Sequence, residues 1–242
     1  DVMPKYQQIF EQLRAEIADK TIKANSYLPS ENELMKKYDA SRDTIRKALN
    51  LLSTNGYIQK EKGKGSLVLD TSTINFPVSG VTSYKELEKS NLVHETKTHV
   101  IEFKRMPADE EIKNLLYMQG GDVYKVVRVR EIEKEKIILD TDYLKADVVE
   151  GLKKEHAQNS LYEYIEKDLG LAVSFARKEI TVIPATKEEK QLLDMKDYDL
   201  LVCVRSFTYL EDATLFEYTV SKHRPDKFRF VDFARRDKTQ KM

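Results

Sequence analysis

Apolar residues recur at three- and four-residue spacing through the first fifty or so positions, then mostly at alternate positions, so the chain passes from a helical rhythm to a sheet rhythm. Tyr6, Ile9, Phe10, Leu13 and Ile17 form one stripe and predict a helix over residues 4–20. Leu28 and Pro29 close that segment. Ser30 followed by Glu33 reads as a capping box, in which each side chain satisfies a backbone N–H orphaned at a helix start. The short helix that follows carries Leu34 and Tyr38 on one face and ends near Asp39 and Ala40. Ser41 offers a second N-cap, and Ile45, Ala48, Leu49 and Leu52 then mark the buried stripe of a third helix. Asn55-Gly56 turns the chain into Tyr57-Ile58, and the basic loop Lys62-Gly63-Lys64-Gly65 returns it through Leu67, Val68 and Leu69.

Helix, turn, capped helix and basic hairpin in that order are what a DNA reader requires. The buried stripe of the third helix leaves Arg42, Asp43, Arg46 and Lys47 exposed, an edge that suits a major groove. A helix N-terminus carrying arginine contacts phosphates and base edges together, and a glycine-containing wing lets Lys64 approach the duplex closely. The candidate DNA contacts are therefore Ser30, Ser41, Arg42, Asp43, Thr44, Arg46 and Lys47 on the helices, with Lys62, Lys64 and Gly65 on the wing. The plainer alternative is an exposed, salt-laced helical pair with a solvated hairpin; the ordered set of signals favours the reader.

Residues 1–69 thus read as one domain, the polar and aperiodic residues 70–76 as a linker, and residues 77–242 as a second domain. Alternation there predicts strands over residues 96–103, 123–132, 136–143, 175–183, 200–209, 215–223 and 227–233. Helices are predicted over 83–90, 108–118, 160–169 and 186–193. Short turns between successive strands, as at Lys134-Glu135 and Glu211-Asp212, favour an antiparallel sheet flanked by helices, an α+β domain.

The 242 residues carry 41 basic and 41 acidic side chains, so net charge would not draw the chain to nucleic acid and any affinity must come from a local patch. No apolar run approaches a membrane span and no signal-peptide core is present, so a cytoplasmic protein without membrane contact is expected. The single cysteine, Cys203, sits in an apolar run and reads as a buried strand residue. His94, His99, His156 and His223 have no metal-ligand spacing, and there is no phosphate-loop, dinucleotide or nucleophile-elbow motif. No metal site and no cofactor is expected. Asp140 and Asp142 share a strand face, as an acid–base pair would, or as an exposed or capped strand end would. Arg128 and Arg130 share another face; guanidinium forks there make a phosphate clamp or a solvated face.

The pattern LPSE, SRDTIRKAL, NGYI and GKGS resembles the winged helix-turn-helix of the GntR transcription regulators. The segments NFPVSGVTSYKEL, VVRVREIE, ILDTDYL, SLYEYI and DKFRFVDFARR resemble that family's sugar-phosphate-sensing HutC/UTRA branch, with its chorismate-lyase-like effector domain. The resemblance implies a dimeric repressor of a sugar-utilisation operon. It would sit on a palindromic double-stranded operator and leave it when a sugar phosphate binds. Trehalose 6-phosphate is the first choice and glucosamine 6-phosphate or its N-acetyl form the second. It also implies that Arg128 and Arg130 face the effector, and that Asp140, where relatives usually carry the longer Glu, accepts from sugar hydroxyls. Thr82 and Ser83 at a helix start would suit phosphate or form an ordinary N-cap. Ser160 would bind effector or cap a helix, Tyr162 would bind effector or fill core, and Glu217 would bind hydroxyls or pair with a cation. An enzyme of the chorismate-lyase-like fold is the competing class, disfavoured because no catalytic constellation is visible and a DNA reader is joined to the domain.

Overall fold

A computed structural model of the protein describes residues 3–70, the backbone of residues 74–75, and residues 96–230. These fall into two compact units. The first holds residues 3–70 together with Arg229 and Phe230, and the second holds residues 96–228.

In the first unit, α1 (Lys5–Ala18), α2 (Glu31–Tyr38) and α3 (Arg42–Thr54) precede a hairpin of β1 (Ile58–Glu61) and β2 (Gly65–Val68). Ile9, Leu13 and Ile17 of α1 are buried with Leu34 of α2 and Ile45, Ala48, Leu49 and Leu52 of α3. Each such leucine or isoleucine contributes about 1.5–3 kcal/mol relative to leaving it in water. Asp39 closes α2 in the left-handed conformation at φ 46°, while the N–H of Ala40 reaches back to Met35 O at 3.1 Å, so the turn into α3 is short. The wing pairs Ile58 with Val68 through to Glu61 with Gly65, and Gly63 sits at its tip at φ 80°, a conformation that favours glycine.

The second unit is built on a six-stranded antiparallel sheet. Beyond the short β3 (Ile74–Asn75), which belongs to the first unit, its strands are β4 (Thr96–Pro107), β5 (Asp122–Ile132), β6 (Glu135–Lys145), β7 (Val173–Pro184), β8 (Leu200–Leu210) and β9 (Leu215–His223), in spatial order β4-β5-β6-β9-β8-β7. Helices α4 (Glu110–Leu116), α5 (Lys154–Asn159), α6 (Leu161–Glu163) and α7 (Lys187–Leu192) lie between strands, and a π turn, Tyr164–Asp168, extends α6. One sheet face packs Tyr124, Val126, Leu144 and Phe216 against Ala157, Leu161 and Ile165. The other buries Val123, Leu215 and Tyr218 with Ile112 and Leu116 of α4, and Val129, Leu139 and Leu201 with Leu193 and Met195 beyond α7. The architecture is the α+β one the alternation implies, and Cys203 is fully buried on β8.

Three elements differ from the sequence pattern. Helix α5 was not signalled, because KEHAQN carries a single apolar core residue, Ala157. The helix over 160–169 begins at Leu161 and widens into the π turn. The strand over 227–233 is, among the described residues, only β10 (Phe228–Arg229). The helix over 83–90 lies outside the described residues.

Candidate DNA interface and effector site

Local chemistry sets the geometry of the reading head. The Ser30 hydroxyl accepts from Glu33 N–H at 3.3 Å while Ser30 N–H donates to the Glu33 carboxylate at 2.7 Å, completing the capping box. The Ser41 hydroxyl accepts from Thr44 N–H at 3.2 Å and meets the Thr44 hydroxyl at 2.9 Å. Both serines therefore use an acceptor lone pair on a helix start, and the Ser30 O–H stays available to a phosphate. Arg42, Asp43, Arg46 and Lys47 are exposed along α3, and Lys62, Lys64 and Gly65 are exposed on the wing.

The cations on α3 are held by weak partners. Arg42 donates to Asn32 Oδ1 at 3.0 Å, Arg46 Nε to Glu31 at 3.1 Å, and Lys47 pairs with Asp43 at 2.9 Å. Exposed pairs of this kind are worth about 0–1 kcal/mol, so phosphate or a base edge displaces them readily. Asp43, an acceptor only, can read a base amino group such as that of cytosine, and its pairing with Lys47 limits repulsion of the phosphates. Lys60 of β1 donates to Asn50 of α3, which ties the wing to the reading helix.

In the second unit, strand register assembles a polar grid on the sheet face that α5 and α6 partly cover. Arg128 lies opposite Asp140, Asp140 opposite Ser221, and Asp142 opposite Thr219. The ion pairs run diagonally. Arg128 Nη2 donates to Asp142 Oδ2 at 2.8 Å, and Arg130 Nε donates to Asp140 Oδ2 at 3.0 Å while its Nη1 reaches Thr98 Oγ1 at 2.8 Å. The Thr219 hydroxyl donates to Asp142 at 3.0 Å, the Ser221 hydroxyl to Asp140, and the Tyr162 hydroxyl to Glu217 at 3.2 Å. Arg128, Arg130, Asp140, Asp142 and Glu217 are all buried, none exceeding 7% exposure. The structure thus brings Arg128, Arg130, Asp140, Tyr162 and Glu217 together. The readings of Asp140 and Asp142 as an exposed strand end, and of the arginines as a solvated face, are corrected: both strands are interior and covered.

Ser160 acts as the N-cap of α6, its hydroxyl accepting from Glu163 N–H at 3.2 Å. Tyr162 packs against the apolar cluster, the core role anticipated for it, and its hydroxyl also hydrogen bonds Glu217. Glu217 faces a carboxylate. Burial pushes its carboxyl well above the usual range and the charge of Asp142 pushes it further, which favours its neutral form. Burial pushes Asp142 upward most strongly, but the Arg128 guanidinium, a hydrogen bond with Glu217 and the Arg130 charge together hold it below the ordinary carboxylate value. With Glu217 neutral, two guanidiniums face the two aspartates. One donor remains: Arg128 Nε is buried and has no hydrogen-bond partner among the described residues. Thr82 and Ser83 lie outside the described residues.

Asp142 as an arginine partner, Thr98, Thr219, Ser221 and His223 were missed. Their signal was the polar alternation Thr219, Ser221, His223 between Tyr218, Val220 and Lys222, which needs the strand pairing before it acquires meaning. His223 is buried beside Ser221 at 2.9 Å, and desolvation drops its pKa to about 4, only partly opposed by Asp140. A histidine neutral when folded and charged when unfolded removes stability as pH falls from 6.5 to about 4. At pH 5 the loss relative to pH 7 should be about 2 kcal/mol by linkage. Urea unfolding of wild type and His223→Gln at the two pH values measures it; an acid limb equally deep in the variant assigns it elsewhere.

A winged reading head joined to a sheet with a buried polar grid defines the class as a ligand-responsive transcription regulator. The chain belongs to the GntR family of bacterial regulatory proteins, which residues 5–68 match, and residues 92–229 match the UTRA domain. It is 49% identical over 235 residues to the HTH-type transcriptional regulator TreR of Bacillus subtilis, covering 97% of this chain and 98% of that protein. Among solved structures, it resembles the TreR effector-binding domain of B. subtilis, at 50% identity and TM-score 0.53, over 59% of this chain and 99% of that one. It also resembles the possible transcriptional regulator YydK of B. subtilis at 26% identity and TM-score 0.67, over 96% of this chain and 100% of that one. The protein binds operator DNA and a small-molecule effector and is not an enzyme. No helix among the described residues is long and apolar enough to cross a membrane.

Proposed function

We propose that this protein represses a trehalose-utilisation operon, binding a palindromic operator as a homodimer and leaving it when trehalose 6-phosphate occupies the polar face of the sheet. The observation that carries the reading is the Arg128–Arg130 grid with its orphan Nε donor. An unsatisfied buried donor costs about 1–3 kcal/mol, which a phosphate oxygen would recover. The solved structure titled B. subtilis trehalose repressor effector-binding domain, 50% identical to this chain, supports the sugar. Asp140, Glu217 and Tyr162 supply acceptors and a hydroxyl for sugar, and Ser160, Thr82 and Ser83 are candidate phosphate contacts. A single reading helix spans few base pairs, so a two-fold pair on a two-fold operator is the fitting arrangement.

The test combines both sites. Thermal shift against trehalose 6-phosphate, trehalose, glucosamine 6-phosphate and its N-acetyl form should show stabilisation by the first alone. Equal stabilisation by trehalose removes the phosphate from the reading. At the reading head, the logarithm of operator affinity should fall with the logarithm of salt by roughly 0.9 per neutralised phosphate. Arg46→Ala should weaken operator binding by about 1–3 kcal/mol while leaving sugar-phosphate binding intact. Salt-insensitive binding, or an Arg46→Ala effect on sugar affinity, contradicts the assignment.

A further inference from the structure

Asn50 and Lys60 bridge the notch between the reading helix and the wing. Arg42, Arg46 and Asn50 recur at four-residue spacing and so share one face of α3. Each holds a neighbour from an adjoining element: Arg42 takes Asn32 and Arg46 takes Glu31, both of α2, while Asn50 takes Lys60 of β1. Both members of the last pair are exposed.

Donor chemistry orients that pair. An ammonium only donates, so the Asn50 amide turns its oxygen to Lys60 and leaves its NH2 facing away. Neither that NH2 nor the remaining ammonium N–H groups have a further hydrogen-bond partner among the described residues. The result is an edge of N–H donors, which suits the acceptor-only oxygens of a phosphate. Desolvation lowers the pKa of the Lys60 ammonium; the Glu31 charge opposes that shift and the Arg46 charge adds to it. With Glu31 engaged by Arg46, an incoming phosphate is the anion that would stabilise the charged form of Lys60.

Duplex geometry brings the phosphate to this place. A backbone strand separates the major groove from the minor groove, so a head that lays α3 in one and its wing against the next lets that strand cross the notch between them. Asn50 and Lys60 stand where it crosses.

We propose that Asn50 and Lys60 form a phosphate-binding site for the DNA backbone that runs between helix and wing, separate from the contacts of Arg42 and Arg46. This rests on the reading of α3 and the wing as operator contacts, and it adds a grip that is blind to sequence.

Fluorescence anisotropy of the full chain across a salt series tests it, on two duplexes of equal length: an operator selected by the wild type from a random pool, and an unrelated sequence. Lys60→Gln keeps a donor for Asn50 and removes the charge. It should lower the salt slope by about 0.9 on both duplexes, weakening both about fivefold at about 0.15 M salt and leaving their ratio within about twofold. Asn50→Asp keeps an oxygen for Lys60, so a mere tether between helix and wing would be tightened by it. It should instead weaken both duplexes at least as much as Lys60→Gln, because the NH2 is lost and a negative charge faces the backbone.

An unchanged salt slope in Lys60→Gln, or an Asn50→Asp protein that binds as tightly as wild type, overturns the site. So does a loss confined to the operator duplex, since Lys60 would then act by orienting the reading helix. Arg46→Ala keeps the two readings apart: a lower operator-to-unrelated ratio in that variant leaves the α3 contacts standing whatever Lys60 does. If that ratio does not move, the α3 reading fails and the backbone site fails with it.

Discussion

Arg130→Lys should hold the operator at effector concentrations that free the wild type. The substitution keeps a cation beside Asp140, so the buried charge stays compensated, but a point ammonium replaces a planar fork that holds Asp140 and Thr98 at once. If phosphate binds this fork, its loss removes charge-assisted hydrogen bonds worth about 1.5–3 kcal/mol, roughly a 10- to 150-fold drop in effector affinity. Operator affinity without effector should stay near wild type, because the reading head is untouched. A ligand shifts an equilibrium only by its differential affinity for the two states, so release should move to correspondingly higher effector concentration. Mobility-shift titrations with increasing trehalose 6-phosphate measure this, and release at the wild-type concentration takes Arg130 out of the effector contacts. Lysine is a better probe here than alanine, which would leave Asp140 buried without its guanidinium and confuse misfolding with lost binding.

The second large effect concerns the shared proton of the grid. Glu217→Gln should be nearly neutral for stability, since burial and the Asp142 charge favour the uncharged form of Glu217 and an amide can accept from Tyr162 and donate toward Asp142. Asp142→Ala should cost about 3 kcal/mol, the lower end of the 3–5 kcal/mol expected for stranding a buried charge. The loss stays at that end because Glu217, relieved of the Asp142 charge, can ionise and balance Arg128. The double variant closes that route and should lie near the upper end, beyond the sum of the two single changes. Urea unfolding of the four proteins gives the coupling. Additive losses would mean that Glu217 carries no reserve charge for Arg128.

How far the sequence carries depends on whether a feature is local. The capping box at Ser30, the cap at Ser41 and the buried stripe Ile45, Ala48, Leu49, Leu52 are decided within one or two turns, and the structure keeps each of them. Strands β4 to β9 were legible because alternation survives wherever one face is covered. The buried polar grid was only half legible. Arg128 and Arg130 share a face by spacing alone, but that Asp142 rather than solvent holds Arg128 depends on the β5–β6 register, a long-range quantity that no short window contains. Helix α5 escaped for the opposite reason: its residues pack too little apolar surface to leave a period.

The internal neutralisation of Arg128 and Arg130 also shapes what a genetic selection on this regulator would recover. Alleles that silence induction while keeping repression must spare the carboxylate partners, so at these two codons they are restricted to cationic replacements. Codon changes that delete the charge would instead surface among constitutive mutants, because the folded protein is depleted. Two phenotypes of opposite sign would then map to the same pair of positions, divided by the charge of the incoming residue.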